Sequence, residues 1–121
     1  VGGSLNAMLS ATQLPARATD TTNGIRAASA VLIADGGSET FDLEEGAFVL
    51  VAASANGSLT VSEWVLAIVA EDNTVAHMAA SANTATSDSA GDFCVYAAGG
   101  DLTFKNNRGA NRYVSYWIFG V

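Results

Sequence analysis

Tyr113-Val114-Ser115-Tyr116-Trp117-Ile118-Phe119 is a run of strand-forming residues with apolar side chains on both alternating faces. One face carries Tyr113, Trp117 and Phe119; the other carries Val114, Tyr116 and Ile118. Successive side chains of a strand point to opposite sides of its sheet, so a strand in a two-layer sandwich ordinarily alternates apolar with polar. Asp101-Leu102-Thr103-Phe104-Lys105 and Thr40-Phe41-Asp42-Leu43-Glu44 do alternate. Trp64-Val65-Leu66-Ala67-Ile68-Val69-Ala70 and Ala47-Phe48-Val49-Leu50-Val51-Ala52 do not, and are apolar on both sides like 113–119.

Around these runs, glycine, asparagine, aspartate and serine punctuate the chain about every ten residues, as turn residues do in all-β proteins. Strands are expected over 26–34, 40–43, 47–53, 59–70, 74–80, 92–98, 101–106 and 112–120. The fold expected is an antiparallel jelly-roll or β-sandwich of about eight strands spanning 25–121. Residues 1–24 read as an extended N-terminal arm. Within it Leu5, Met8 and Leu9 share one face of a short helical turn that Ser4 can cap, and a Thr/Ala/Asp-rich stretch follows around Pro15. A chain of 121 residues, half of them hydrophobic, holds one such core and no second.

Composition excludes several roles. Five Lys and Arg against twelve Asp and Glu give a net charge of −7, the wrong sign for gripping nucleic-acid phosphates. No apolar run is long enough to span a membrane, and Val1-Gly2-Gly3-Ser4 lacks the basic and apolar regions of a signal peptide. The single Cys94 and single His77 sit in apolar strands, without the partners that nucleophilic or general-base chemistry requires. No phosphate loop, nucleophile elbow or zinc motif occurs, so a non-enzymatic protein without cofactor or resident metal is expected. Acidic loop residues (Asp35, Glu39, Asp42, Glu44 and Glu45, then Glu71, Asp72, Asp88 and Asp92) read as solvated charge, with Ca²⁺ ligation as the minor alternative. Asn56-Gly57-Ser58 matches a glycosylation acceptor. Lys105, Arg108 and Arg112 gather at one hairpin, either as a basic tip that contacts an acidic neighbour or as an ordinary polar turn.

A strand apolar on both faces needs cover on both, and a domain of this size has no helix to spare. The cover is another copy of the chain, a partner, or the arm folded back. Trp64, Leu66, Tyr116 and Ile118 are the residues expected at contacts between copies.

The segment from Gly100 through Lys105-Asn106-Asn107-Arg108-Gly109 to Arg112-Tyr113-Val114-Ser115-Tyr116-Trp117-Ile118-Phe119-Gly120 resembles the closing hairpin of small β-sandwich proteins of tailed phages. Phe41-Asp42-Leu43-Glu44-Glu45-Gly46-Ala47 and the apolar strand after it add to the likeness, and residues 25–121 are similar in character to capsid decoration (cement) proteins. That resemblance implies a homotrimer on the capsid exterior, made in the host cytoplasm, that stabilises the head by bridging major capsid proteins. The arm, through Leu5, Met8, Leu9 and Arg17, would then hold the capsid. The alternative is a receptor- or carbohydrate-binding tip of a phage fibre, in which Trp117 or Tyr113 faces water.

Overall fold

The computed structural model describes residues 24–55 and 60–120. These form β1 (Ile25–Ile33), β2 (Ser38–Asp42), β3 (Phe48–Ser54), β4 (Val61–Ala70), β5 (Thr74–Ala80), β6 (Thr84–Ala85), β7 (Phe93–Ala98), β8 (Asp101–Asn106) and β9 (Arg112–Phe119). Every strand expected from the sequence is present, with ends shifted by a residue or two. The addition is β6, two residues that pair in parallel with β7 and are too short to leave a pattern. The arm residues Leu5, Met8, Leu9 and Arg17, and the acceptor at Asn56, lie outside the described residues.

Two sheets stack as a sandwich: a five-stranded one in the order β1-β9-β3-β4-β5, and a four-stranded one in the order β2-β8-β7-β6. The first two strands thus pair with the last two, β1 with β9 in one layer and β2 with β8 in the other. This nested wrapping is the jelly-roll element of the fold, while β3, β4 and β5 form a plain meander. Turn chemistry explains the tight reversals. Gly99 and Gly100 both take positive φ (59° and 86°) between β7 and β8, the backbone that a two-residue hairpin turn demands. Asp72 and Asn73 (65° and 54°) do the same between β4 and β5, and Asp and Asn tolerate that region better than most residues.

The core lies between the layers. The five-stranded sheet contributes Val49, Val51, Val65, Val69, Val114, Tyr116 and Ile118; the four-stranded sheet contributes Phe41, Phe93, Val95, Leu102 and Phe104. At its centre the rings of Phe41, Phe104 and Tyr116 pack with centroids 4.9–5.6 Å apart in tilted and edge-on geometry. Burial pushes the Tyr116 hydroxyl above its usual pKa, and Glu39 adds to the shift while Arg26 opposes it.

This placement corrects one expectation. Tyr116 and Ile118 are core residues and are not available to a neighbouring copy. Both faces of β9 are apolar, so alternation alone could not say which turns inward. The pairing decides it: Tyr116 is locked between Phe41 and Phe104, and Trp117 and Phe119 take the outside.

Removing a ring from the trio leaves a cavity that rigid strands cannot close. Phe104→Ala is expected to lower unfolding free energy by about 3–5 kcal/mol, measurable as a drop in urea midpoint with unchanged slope.

Candidate functional site

Cross-strand register builds the outer face of the five-stranded sheet into four rows. The first runs Ile25, Phe119, Phe48, Ile68 and Ala76; the second runs Ala27, Trp117, Leu50, Leu66 and Ala79. The third holds Ser115, Ala52 and Trp64, and the fourth Leu32, Tyr113, Ser54 and Val61. No charged side chain stands on these rows, and the first two contain only hydrocarbon and indole. Of the eight large hydrophobic residues that are exposed among the described residues, seven lie here; the eighth, Met78, is the extra residue of the bulge in β5. Trp64 and Trp117 are each 41% exposed.

A contiguous apolar patch of this kind marks an interaction surface, because water ordered against it is released when something covers it. The other side of the molecule differs. The outward residues of β2 and β8 include Ser38, Thr40, Asp42, Asp101 and Lys105, which are polar and exposed or half-buried, with Thr103 buried among them. Of the residues expected at contacts between copies, Trp64 and Leu66 belong to the apolar panel, and Trp117, Phe119, Phe48 and Leu50 join them. Trp117 and Phe119 belong to the same strand, but the sequence left the direction of its faces open.

The basic hairpin receives a second correction. Its cations are spent inside the chain. Glu63 on β4 is 1% exposed and is held by two arginines. Arg112 Nε donates to its Oε1 at 2.8 Å, and Arg108 Nε to its Oε2 at 3.0 Å. Arg108 also donates to the Gly91 carbonyl, and Arg112 to that of Asn111. A buried carboxylate is costly without such partners, so these arginines are fixed by Glu63 and do not form a free tip. Lys105 pairs with Asp88 at 2.8 Å; the contact lowers the Asp88 pKa and raises that of Lys105. Arg26, the remaining cation among the described residues, lies over the Phe41 ring at 5.4 Å from its centroid.

The isolated reactive types also serve structure. His77 Nε2 lies 2.9 Å from the Val95 carbonyl, which can only accept, so this nitrogen carries the proton and ties β5 to β7 across the open side of the sandwich. Cys94 is fully buried beside Ser89, Asp92 and Asn107, and burial pushes its thiol pKa up. A shallow groove of about 520 Å³ is lined by Asp35, Asp88, Asn107 and the glycines near them. Its carboxylates are engaged: Asp35 accepts from the Gly109 amide, and Asp88 from Lys105 and Asn107. Among the described residues no group of three or more His, Cys, Asp or Glu side chains is arranged to hold a metal ion. No helix among them is long and apolar enough to cross a membrane.

Comparison with family models, with curated proteins and with solved structures finds no match to this chain. The apolar panel therefore stands on its own geometry as the candidate functional surface.

Glu63→Ala would leave the buried Arg112 without its carboxylate and take the Nε partner from Arg108; a loss of about 3–5 kcal/mol in stability is expected, against far less for a surface acid such as Glu71→Ala. Chemical denaturation of the two variants side by side checks it. Cys94 should react with a thiol reagent at the rate of global or local opening, becoming fast only in denaturant; prompt labelling of native protein would contradict its enclosed position.

Proposed function

We propose that this chain is a non-enzymatic structural protein of a tailed-phage head: a decoration protein whose copies trimerise on the capsid exterior and bridge major capsid proteins. The observation that supports the reading is the uncharged apolar panel, a surface far better suited to burial against protein than to water. A decoration protein acts by mass action. It binds the assembled lattice and not its dissociated subunits, so each bound copy shifts the equilibrium against disassembly. Joining copies multiplies contacts that are individually weak.

In this scheme the panel joins copies, the polar face of the four-stranded sheet stays wet, and the N-terminal residues Leu5, Met8, Leu9 and Arg17 reach for the shell. A segment of about 20 residues can span up to about 70 Å when extended, enough to cross from one capsid subunit to another.

The fibre-tip reading draws on one observation, the outward indoles of Trp64 and Trp117, on which a sugar ring can stack. Sugars also require hydrogen-bond partners beside the ring, and the residues paired with Trp117 are Ala27 and Leu50. The panel therefore favours a protein surface over a glycan.

Deleting residues 1–20 is expected to abolish co-sedimentation with the cognate phage heads while the sandwich stays folded and its oligomeric state unchanged. Undiminished binding of the truncated protein would refute the role assigned to the arm. Failure of the full-length protein to bind heads or raise their melting temperature would refute the decoration reading itself.

A further inference from the structure

Independently of the assembly reading, we infer that the free edge of β1 is a docking site for residues 18–22 of the same chain, which an Asn23-Gly24 turn folds back as a sixth strand of the larger sheet. Three observations carry this.

The first is an edge whose hydrogen-bonding groups point outward. β1 is the terminal strand of the five-stranded sheet, and its one partner among the described residues is β9. The register sets Ile25 opposite Phe119 and so Gly24 opposite Gly120, and the Gly120 amide donates to the Gly24 carbonyl. Along an antiparallel pair, directly opposed residues that share hydrogen bonds alternate with residues that do not. Gly24, Arg26 and Ala28 therefore turn their amides and carbonyls to β9, and Ile25 and Ala27 turn theirs to the free edge. Such a row of peptide groups is a template for one more strand.

The second is the turn. The commonest two-residue hairpin turn takes positive φ at both central residues, which is why Asn-Gly is its favoured pair. Asn23-Gly24 stands immediately before β1, and Gly24 has a φ of 74°.

The third is the match between turn and edge. A two-residue loop at 23–24 makes Thr22 and Ile25 the hydrogen-bonded pair that flanks it. Thr21 then lies opposite Arg26, Asp20 opposite Ala27 and Thr19 opposite Ala28, with Asp20 and Ala27 as the next hydrogen-bonded pair. Ile25 and Ala27 are the two residues whose peptide groups face outward, so the turn brings donors and acceptors to them in phase. Residues 18–22 are Ala-Thr-Asp-Thr-Thr; threonine is a favoured strand residue, and a charge such as Asp20 is typical of a sheet's outermost strand. The receptive stretch ends at the bulge between Ala28 and Val31, where Ala30 has a φ of 54° and its amide donates to Ser115 Oγ. Pro15, which has no amide to donate, falls beyond that point.

The docked strand re-aims the rest of the arm. Gly120 packs against the backbone of Ala47, so Gly24 lies at the end of the sandwich that carries Glu44 and Glu45. A chain entering β1 without a turn would arrive from that acidic end. Folded back, it runs along β1 from the direction of Ile33 and Arg112, which pair at the opposite end. Residues 1–17, with Leu5, Met8, Leu9 and Arg17, then reach outward from that side, over up to about 60 Å when extended.

Amide hydrogen exchange of the full chain, followed residue by residue by NMR, tests this. The Ile25 and Ala27 amides are expected to exchange at least about tenfold more slowly than those of an unstructured chain. A close contact between the Hα atoms of Thr21 and Arg26 is expected as well, because opposed residues that share no hydrogen bond are the closer ones. Asn23→Val, which opposes positive φ, is expected to return Ile25 and Ala27 to fast exchange while Arg26 and Ala28, bonded to β9, keep their protection. Asn23→Gly, which accepts positive φ, is expected to leave all four protected. Unprotected Ile25 and Ala27 amides in the wild type overturn the inference, and so does protection that Asn23→Val leaves intact. Protection that rises with protein concentration also overturns it, since the added strand would then come from another copy.

Discussion

A two-layer sandwich has one interior, and this chain has apolar residues for more than one. Strands β3, β4 and β9 turn Val49, Val51, Val65, Val69, Val114 and Ile118 into the space between the sheets, where they are fully or almost fully buried. The same strands raise Phe48, Leu50, Trp64, Trp117 and Phe119 on the other side. Hydrophobic burial contributes roughly 25 cal/mol per Å² of apolar surface, so the exposed panel represents stabilisation that the isolated subunit leaves unrealised. Covering it must still overcome the loss of translational and rotational freedom on association, which is why area alone does not set affinity.

The rest of the molecule is organised so that this panel is the surface left over. Every buried side-chain nitrogen and oxygen among the described residues has a hydrogen-bond partner. The most demanding of them, Glu63, recruits Arg108 and Arg112 and so anchors β4 to the β8–β9 turn and to the first residue of β9. Asn106 reinforces that corner from inside, its amide donating to the carbonyls of Ile33 and Ala110. His77 closes the opposite side by joining β5 to β7. With polar needs met internally, the uncharged rows remain as the surface on which the proposed assembly rests.

The all-β sandwich and the position of nearly every strand were legible in the sequence, because turn residues and period-two alternation are local signals. The double apolarity of 47–52, 64–70 and 113–119 was legible too. The direction of 113–119 was not: with Val114, Tyr116 and Ile118 as greasy as Trp117 and Phe119, only the aromatic contacts with Phe41 and Phe104 fix which set goes inside. The fate of Lys105, Arg108 and Arg112 was hidden for a related reason. Their partners, Asp88 and Glu63, are 17, 45 and 49 positions away in the chain, and nothing local marks Glu63 as an inward-facing acid. Its place in the strand gives a clue in hindsight, since it shares the alternation of Val65, Ala67 and Val69.

Both tryptophans of the chain, Trp64 and Trp117, stand on the panel, so their fluorescence reports its cover directly. Acrylamide quenching followed from about 0.1 to about 100 µM protein, a range that brackets micromolar association, is therefore the most direct measurement. Quenching that falls and emission that shifts to the blue as concentration rises are the results expected of a panel that copies cover. Indoles that remain equally quenchable and equally red-shifted throughout would contradict it.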